Sequence, residues 1–571
     1  MNKAFDLVIR GGTLADGLGN ELREGDIAVR DGRIAAVGQF AGSGADEIDA
    51  RGKLVTPGFV DIHTHYDGQA TWADRMQPSS LHGVTTAVMG NCGVGFAPVR
   101  TSDHDRLIEL MEGVEDIPGA ALHEGLTWQW ESFGQYLDYL DARPRDIDIA
   151  AQLPHGALRV YVMGERATRL EPANAQDIAQ MRELTRDAVR AGALGFSTSR
   201  SMNHRSIKGD PTPSLKATEE ELTGIAKGLT DAGRGVLQII SDMAYSQGDE
   251  LGMVFRIARA SGRPCSISLA QSHRKPDDYR TVLARIHEEA QTGTRIAAQV
   301  APRAVGVLFG LQANRSPIHG SPTFLALRDR EPAEMVAAMR DPEIRRRILA
   351  EATDNPFLRI DLKPYDYERV FALGNPPDYE PPVEKSVEYL ARARGRSTLE
   401  TAYDLMLEDD GGALLLAPFA NYADCSLDTC AEQLSHPEAL FGLGDGGAHV
   451  GSICDASFTT YMLSHWGRNR ATGRLPIPLL VNLLSARNAH AVGMNDRGAL
   501  TAGLRADLNV IDMDRLAIHS PIVLKDLPAG GRRFQQTSTG YVATVVAGEV
   551  TYREGQATGK LPGRLVRNAT A

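Results

Sequence analysis

The sequence predicts an α/β protein in which a (β/α)8 TIM barrel is joined to a small β-sandwich built from the N- and C-terminal segments. Two observations favour the barrel: strand-like apolar runs alternate with helical patterns through the middle of the chain, and eight such runs are present. The β-rich segments at both ends favour the sandwich, because chain termini often lie close together. The predicted division is a composite β domain, 1–55 with 500–571, and a barrel domain, 56–499.

The terminal segments contain short β-rich runs that are separated by turns. Asp31-Gly32 stands between two of these runs and is typical of a two-residue hairpin loop. Near the other end, Gly548-Glu549 is expected to turn the chain in a similar way. The expected strands are Asp6–Ile9, Asp26–Arg30, Ile34–Val37, Asp507–Ile511, Gly540–Val546 and Val550–Tyr552.

The central region carries the eight runs that we interpret as barrel strands. Most of them follow a helical pattern that ends in a glycine turn, such as Met181–Ala191 before Gly192. An open, doubly wound sheet is the alternative, but it would gather polar residues at one switch point, whereas here they stand at nearly every strand end. The runs end at or near His65, Cys92, Gln152, Arg200, Asp242, Gln271, Gln299 and Gly444.

One connection, residues 303–412, is longer than a barrel needs. It contains helical patterns at Pro332–Thr353 and Val383–Arg394, which a proline-rich stretch separates. A long insertion of this kind covers the mouth of an active site or makes an oligomer contact. The apolar run 413–418 that follows is a candidate strand outside the count of eight.

Composition and charge limit the class of partner. The chain has 571 residues, of which 42% are hydrophobic and 23% charged, and its formal net charge is -12. An acidic balance without a dense Lys/Arg stripe argues against nucleic acid or a membrane as partner, and a small-molecule substrate is expected. The five widely spread cysteines are not a disulfide framework, and no signal peptide or long apolar run is present. We therefore expect a cytoplasmic protein, and leave a homo-oligomer open.

The predicted strand that ends in His63-Thr64-His65 is the most informative motif. Side chains alternate in an extended chain, so both imidazoles are expected to project to the same side. Neutral imidazole is a ligand of zinc and its neighbours, and barrel enzymes carry their catalytic residues at carboxyl strand ends. A pair of histidines in a polar turn is the alternative interpretation. The motif predicts half of a metal site and metal-assisted hydrolysis.

Motifs in several places resemble one family, and they occur in the order that family shows. Residues 55–65, VTPGFVDIHTH, look like the opening of the metal-dependent amidohydrolase superfamily. Residues 83–86, GVTT, with 90–93, GNCG, are similar to its D-aminoacylase branch, the N-acyl-D-amino-acid deacylases. The likeness continues through Gly444-Asp445-Gly446 and residues 496–508, so it covers nearly the whole chain. It implies a (β/α)8 barrel with a β-sandwich made from both chain ends.

The resemblance also implies a metal site with zinc as its cofactor. His63 and His65 would bind the metal, Cys92 matches the cysteine that holds metal in that branch, and Asp445 would be a ligand or close neighbour and the proton shuttle. A metal lowers the pKa of bound water from about 15.7 to about 7. A carboxylate beside it can take the proton and pass it to the leaving nitrogen. The alternatives are a small buried hydrophobe for Cys92 and a turn aspartate for Asp445.

The sequence departs from the family pattern at the fifth and sixth strands, where two further histidines are expected. Asp242 stands at the fifth strand, and His273 comes four residues after the expected offset at the sixth. Both are candidate metal ligands, and solvated loop residues are the alternative. If Cys92 and Asp242 both ligate, the chain would hold two zinc ions. If Asp242 only belongs to a loop, it would hold one, built around His63, His65 and Asp445.

Cations and an imidazole after the strand ends are the candidates for substrate binding. An arginine can hold a carboxylate through two parallel hydrogen bonds, as an acylated amino acid would need. Solvated loop residues are again the alternative. The candidates are Arg200, His204, Lys275 and Arg303, and His155, His449 and Gln299 also stand near strand ends.

The function that these features predict is zinc-dependent hydrolysis of a C–N amide bond in a small molecule. The expected substrate is an N-acyl (D-)amino acid or a related N-acyl compound, attacked by metal-activated water. Hydrolysis of a cyclic amide, imide or lactone is the alternative within the same class of enzyme. A catalytically inactive amidohydrolase-like binding protein is the alternative outside it.

Overall fold

A computed structural model of the chain describes residues 4–242, 249–352, 359–360, 363–364 and 367–567. Within these ranges the first three strands of the N-terminal segment pair in antiparallel fashion, and the fourth strand is parallel to the first. The predicted hairpin is confirmed, because Arg30 pairs with Arg33 across Asp31 (φ 51°) and Gly32 (φ 71°). The strands are β1 (Phe5–Leu14), β2 (Arg23–Arg30), β3 (Arg33–Gly38), β4 (Gly44–Asp49) and β5 (Leu54–Pro57).

The next segment alternates strands with helices, as predicted. Glycine ends several of these helices, because it adopts the left-handed conformation that the last turn requires: Gly233 after α8 and Gly262 after α9 have φ of 73° and 62°. The strands are β6 (Phe59–Asp61), β7 (Val84–Met89), β8 (Asp148–Ala151), β9 (Leu153–Pro154), β10 (Gly195–Arg200), β11 (Val236–Ser241), β12 (Cys265–Ser268) and β13 (Ile296–Val300). The helices are α1 (Gln69–Trp72), α2 (His104–Glu115), α3 (Gly119–Gly125), α4 (Phe133–Asp141), α5 (His155–Met163), α6 (Glu165–Thr168), α7 (Ala175–Ala191), α8 (Glu219–Ala232), α9 (Glu250–Ser261) and α10 (Asp278–Gln291).

The insertion has its own apolar core and its own small antiparallel sheet. The run at 413–418 belongs to a strand outside the barrel count, β18, which pairs with β14 and β17. The strands are β14 (Val305–Phe309), β15 (Arg359–Ile360), β16 (Lys363–Pro364), β17 (Phe371–Ala372) and β18 (Leu415–Ala420). The helices are α11 (Pro322–Leu327), α12 (Pro332–Met339), α13 (Pro342–Glu351), α14 (Val387–Arg394), α15 (Thr398–Met406) and α16 (Asp428–Leu434).

Both helical patterns of the insertion need correction at their boundaries. The first one breaks into α12 and α13, because Pro342 starts a new helix and Asp341 caps it by accepting from the N–H groups of Glu343 and Ile344. Thr353, its predicted end, lies outside the described residues. The second begins later than predicted, since Ser386 caps α14 and a short 3-10 turn precedes it.

The C-terminal part supplies the last barrel strand and then returns to the terminal sheet. The strand expected at Leu440–Gly444 is shorter than predicted and ends at Phe441, two residues before the left-handed Leu443 (φ 60°). The strands are β19 (Ala439–Phe441), β20 (Leu508–Ile511), β21 (Ala517–Ile518), β22 (Ile522–Leu527), β23 (Gly531–Gln535), β24 (Ser538–Thr539), β25 (Tyr541–Val546), β26 (Glu549–Arg553) and β27 (Gln556–Ala557). The helices are α17 (Phe458–Tyr461), α18 (Ile477–Leu484) and α19 (Ala486–Ala491), with a π-helical stretch at Met462–Asn469.

Strands from the two ends of the chain share one sheet. Its order is β27-β26-β25-β20-β5-β1-β2-β3, and β4 pairs with β1. The junction between the two ends is antiparallel, with Val510 opposite Val55. Leu7, Val55, Leu508 and Val545 belong to the same buried cluster beneath it. The pairing of N- and C-terminal strands is therefore as expected, while the division of the chain into domains stays a prediction.

The central strands have the parallel arrangement of a TIM-barrel-type α/β fold. They form two parallel sheets, β6-β7-β8 and β19-β13-β12-β11-β10-β9. The sheets come together at two places: Gln152 links β8 to β9, and Thr64 forms a parallel bridge with Gly446. Carboxyl ends of parallel strands meet on one side of the fold, so the segments after β6, β7, β13 and β19 lie together there. Among the described residues, no helix is long and apolar enough to cross a membrane.

Candidate metal centre

Three buried side chains, His63, His65 and Cys92, bring their donor atoms within 4.8 Å of one another. The two histidines follow β6 and the cysteine follows β7, so neighbouring parallel strands deliver all three. The Cys92 Sγ lies 3.3 Å from the His63 Nε2. Two imidazoles and a thiol form a donor set that zinc prefers, and the set is closed to bulk solvent. We call these three residues the metal cluster; they fit a zinc ion.

Asp445 lies against both histidines of the cluster. Its Oδ1 is 3.5 Å from the His63 Nε2 and 3.7 Å from the His65 Nε2, and no hydrogen bond satisfies this buried oxygen among the described residues. Its backbone N–H donates to the His63 carbonyl at 3.0 Å, which ties the segment after β19 to the segment after β6. Both imidazoles therefore direct the same ring nitrogen towards one carboxylate oxygen.

Gln299 on β13 determines which nitrogen of His63 is available. Its Oε1 accepts a hydrogen bond of 2.6 Å from His63 Nδ1, and its Nε2 donates to the Ser266 hydroxyl at 2.9 Å. Because an amide oxygen can only accept, Nδ1 of His63 carries the proton and Nε2 carries the lone pair. The lone pair faces Cys92 and Asp445, as a metal ligand requires.

The loop that carries Cys92 is fixed by hydrogen bonds and close backbone packing. Cys92 has a left-handed backbone (φ 54°), and its N–H donates to the Gln238 side chain at 3.0 Å. Gly90 must be glycine here, because a Cβ would lie 2.3 Å from the Gln152 carbonyl oxygen. Ser197 accepts from the N–H of Gly93 at 3.0 Å. The thiol is thus held in place from the fourth and fifth strands of the barrel.

Burial and neighbouring charges set the protonation states of the metal-free cluster, and those of His63 and Asp445 are the states that a metal ligand needs. Burial lowers the pKa of His63 to about 4, so its imidazole is neutral at pH 7. Burial alone would raise the pKa of Asp445, but its interactions with the two neighbouring histidines, His65 above all, hold it well below its usual range. Burial raises the pKa of the Cys92 thiol to about 12. The cysteine would therefore become a thiolate only as a bound cation displaces its proton.

Glu115, which the sequence analysis missed, contacts the outer side of His65. Its Oε1 lies 3.4 Å from the His65 Nδ1, and its Oε2 lies 3.5 Å from the His449 Nε2. Glu115 is the last residue of α2, where a negative charge opposes the helix dipole. An acidic residue at the end of an otherwise apolar helix face was the signal that could have found it. Gln299 hydrogen-bonds to His63, and His449 lies against Glu115. The sequence analysis noted both residues only as polar groups near strand ends.

The structure does not bring Asp242 or His273 into the metal cluster. Both carboxylate oxygens of Asp242 accept hydrogen bonds from the loop after β10, from the Ser201 hydroxyl at 2.8 Å and the Met202 N–H at 2.6 Å. His273 accepts from the Tyr422 N–H through Nε2 at 3.2 Å. Within the described ranges, the three-donor group contains neither residue.

The candidate substrate-binding cations are engaged in ion pairs. Arg200 makes two hydrogen bonds of 2.8 and 2.7 Å to Glu250, and Lys275 lies 3.5 Å from Asp278. Arg303 is fully buried, with Asp455 at 3.0 Å and the Tyr379 ring centroid 3.5 Å from its guanidinium carbon.

His204 differs from these cations, because its imidazole is neutral at pH 7. Its Nδ1 is 2.9 Å from the Ser199 hydroxyl. Burial, together with the nearby charges of His449 and His65, lowers its pKa to about 3. The His204 imidazole is therefore a neutral group that could accept or donate a hydrogen bond at pH 7.

Comparison with known proteins identifies the family. The amidohydrolase family profile matches residues 46–552. A D-aminoacylase from Alcaligenes xylosoxydans xylosoxydans is 33% identical over 268 residues, which are 47% of this chain and 51% of that protein. The match thus spans about half of that relative's length.

Two solved structures are similar over the whole chain. A D-aminoacylase studied for the role of its binuclear metal centre has a TM-score of 0.65 at 24% identity, over 99% of this chain and 100% of its own. An N-acyl-D-glutamate deacylase from Bordetella bronchiseptica, complexed with zinc and a phosphonate inhibitor, has a TM-score of 0.63 at 22% identity, over 99% of both chains. These likenesses establish the fold, a TIM-barrel-type α/β fold. With the family profile over most of its length, the chain belongs to the amidohydrolase family.

Proposed function

We propose that this protein hydrolyses the C–N amide bond of an N-acyl amino acid of D configuration, or a related N-acyl compound, with zinc as its cofactor. The observation that carries the proposal is the convergence of His63, His65 and Cys92 on one point beside Asp445. The D-aminoacylase and deacylase relatives support the class of substrate.

The residues that would hold the ion are His63, His65 and Cys92, with Asp445 as a fourth ligand or close neighbour. When bound, zinc would polarise the substrate carbonyl and make water acidic enough to attack near neutral pH. His63 is prepared for this by Gln299, which keeps its proton on the opposite ring nitrogen. The buried surroundings exclude bulk water and strengthen each of these electrostatic interactions.

Asp445 is the residue that we propose for proton transfer. Its pKa lies well below the usual range, so it is a carboxylate at neutral pH and can accept a proton from the attacking water. The same oxygen can then donate that proton to the leaving nitrogen as the C–N bond breaks. The water oxygen ends on the released acyl group as a carboxylic acid, which loses its second proton to solvent at neutral pH, and the amino acid leaves as an amine.

We propose one tightly bound zinc per chain. The side chains beside Cys92 on the fifth and sixth strands are Gln238 and Ser268, which hydrogen-bond to each other at 3.2 Å. Amide and hydroxyl groups are weak ligands for zinc in comparison with imidazole and thiolate. Asp242 is occupied by the loop after β10, so it would not complete a second site.

We propose His204 as a substrate contact, since its neutral imidazole belongs to the surroundings of the cluster. The ion pairs of Arg200, Lys275 and Arg303 make these three weaker candidates. We also infer that the two parallel sheets close into one barrel through the Thr64–Gly446 bridge and the β8–β9 junction. In the proposed division, 1–55 and 500–571 make the β domain, and the insertion at 303–412 belongs to the barrel domain.

The proposed function is tested by a hydrolysis screen on zinc-loaded protein. N-acetyl-D-amino acids, their L enantiomers and a set of cyclic amides, imides and lactones would be compared, with release of amine or ring opening as the readout. Activity on N-acyl-D-amino acids that disappears in His63→Ala/His65→Ala, together with the zinc, is the expected result. Turnover that is unchanged in this double variant would overturn the proposal.

A further inference from the structure

Glu115 contacts the ring nitrogen of His65 that points away from the metal cluster. His65 presents its Nε2 to Asp445 and its Nδ1 to the Glu115 carboxylate, 3.4 Å away. Both the His65 Nδ1 and the Glu115 Oε1 are buried without a hydrogen-bond partner among the described residues. Each is therefore the available partner of the other, and a shift of a few tenths of an ångström completes a hydrogen bond.

The position of Glu115 is unfavourable for a carboxylate on its own. The side chain is 2% exposed, and the residue ends α2, where the helix dipole repels negative charge. Burial raises the pKa of Glu115 above its ordinary value, and the charges of His65 and His449 oppose this. Among the described residues, the imidazoles of His65 and His449 are the groups that lie within ion-pair distance of the carboxylate and offset the unfavourable position of its charge.

The same residue also connects to the segment that carries Asp445. Its second oxygen, Oε2, faces the His449 Nε2 at 3.5 Å, and its carbonyl accepts from the His449 N–H. The next residue, Asp116, accepts from the Ser452 hydroxyl at 2.6 Å. The end of α2 thus contacts both His65, which follows β6, and the loop after β19, which carries Asp445.

We propose that Glu115 is a positioning residue of the metal centre. It keeps the proton of His65 on Nδ1, so that the Nε2 lone pair faces the cation, and it ties the Asp445 loop to the same carboxylate. A carboxylate behind a ligating histidine fixes the orientation of the ring and raises its basicity, which strengthens metal binding. The inference rests on the proposed function, because it requires a cation at the metal cluster.

Zinc affinity of the full-length protein is the direct test. Metal-free wild type, Glu115→Ala, Glu115→Gln and Glu112→Gln would be titrated with zinc chloride against a competing chelator. Glu112 is the matched control, since it lies on the same helix but accepts from the Gly119 N–H at 2.9 Å, away from the cluster. We expect Glu115→Ala to weaken zinc binding by roughly 10- to 100-fold. Glu115→Gln, which keeps an acceptor oxygen but no charge, should lie between it and the wild type, and Glu112→Gln should bind as the wild type does.

Thermal unfolding of the metal-free variants separates positioning from structural support. We expect metal-free Glu115→Gln to unfold close to the wild-type midpoint, because the amide oxygen still faces the His65 Nδ1 and the variant removes a charge from a helix C-terminus, while its zinc affinity falls. A drop in both quantities would make Glu115 structural and overturn the inference, as would wild-type zinc affinity in both variants. Failure of the wild type and Glu112→Gln to bind zinc would instead contradict the proposed function. Should Glu115→Ala not fold, the size-matched Glu115→Gln still decides.

Discussion

Asp445→Asn is the sharpest perturbation of the proposed chemistry, because it removes a charge and little else. Asp445 has a left-handed backbone, φ 46°, which asparagine tolerates, so the loop after β19 should keep its course. The hydrogen bond from its N–H to the His63 carbonyl at 3.0 Å involves only backbone atoms and is retained. What disappears is the base, since an amide oxygen cannot take up the proton that an ionised carboxylate can accept.

The magnitude follows from the role of the lost group. General acid–base catalysis contributes roughly 100- to 10,000-fold, and each factor of ten is about 1.36 kcal/mol in the barrier. We expect kcat of Asp445→Asn to fall by roughly 100-fold or more, about 2.7 kcal/mol or more. The assay is steady-state hydrolysis with bound zinc measured on the same sample, so that lost metal is not taken for lost chemistry.

A control with the same backbone geometry exists in the terminal hairpin. Asp31 is also left-handed, φ 51°, and exposed, so Asp31→Asn makes the same chemical change far from the site. It should leave kcat unchanged. Near-normal turnover by zinc-loaded Asp445→Asn would refute the assignment of Asp445 as the proton carrier.

Three further predictions test the metal shell, the insertion and the buried ion pairs. Cys92→Ser should weaken zinc binding by roughly 10-fold or more, about 1.4 kcal/mol, whereas Asp242→Ala should not; equal losses would indicate two metals. Burial would raise the pKa of Glu380, but hydrogen bonds from His465 and Arg470 lower it to about 2. A carboxyl group whose pKa is lower in the folded than in the unfolded protein stabilises the fold at pH values above its unfolded-state pKa. The gap in unfolding midpoint between wild type and Glu380→Gln should therefore shrink from pH 6 to pH 3, and a constant gap would contradict this. Arg497→Met removes the closest cation of the buried Asp148, 2.7 Å away, and should destabilise the protein by about 3 kcal/mol, the lower end for a broken buried pair, because Arg505 remains at 2.8 Å. The exposed Arg515→Met is the control, and equal unfolding midpoints for the two variants would count against the prediction.

The sequence predicted the features that depend on local chemistry. Asp31-Gly32 specified its hairpin because both positions need a left-handed backbone, and the strand runs were recognisable from their apolar side chains. The pairing of the two chain ends was expected because both ends are β-rich, because chain termini often lie close together and because the family resemblance implies it. The fold errors described above lie at element boundaries, such as Asp341-Pro342, where one predicted helix becomes two, and Phe441, where the last barrel strand ends early.

Site residues could be predicted from the sequence only where they stand in a recognisable motif. His63 and His65 stand together in sequence, so their convergence follows from alternation along an extended chain. Glu115 and Gln299 lie 50 and more residues away from the histidines they contact, so the local signals they carry, the end of an apolar helix face and a strand end, do not reveal which residue each contacts. Asp242 is the opposite case, a predicted ligand that the structure places elsewhere. It stands at a suitable strand end but hydrogen-bonds to a neighbouring loop, and its local sequence does not reveal that contact.

Zinc titration of the metal-free protein, followed by hydrolysis of an N-acyl-D-amino acid, tests the central claim most directly. The account predicts that activity is absent without metal and rises linearly to its maximum at one equivalent of zinc per chain, because His63, His65, Cys92 and Asp445 surround a single position. Activity that persists after complete removal of the metal would contradict metal-dependent hydrolysis. Activity that continues to rise through two equivalents would contradict the single-ion site.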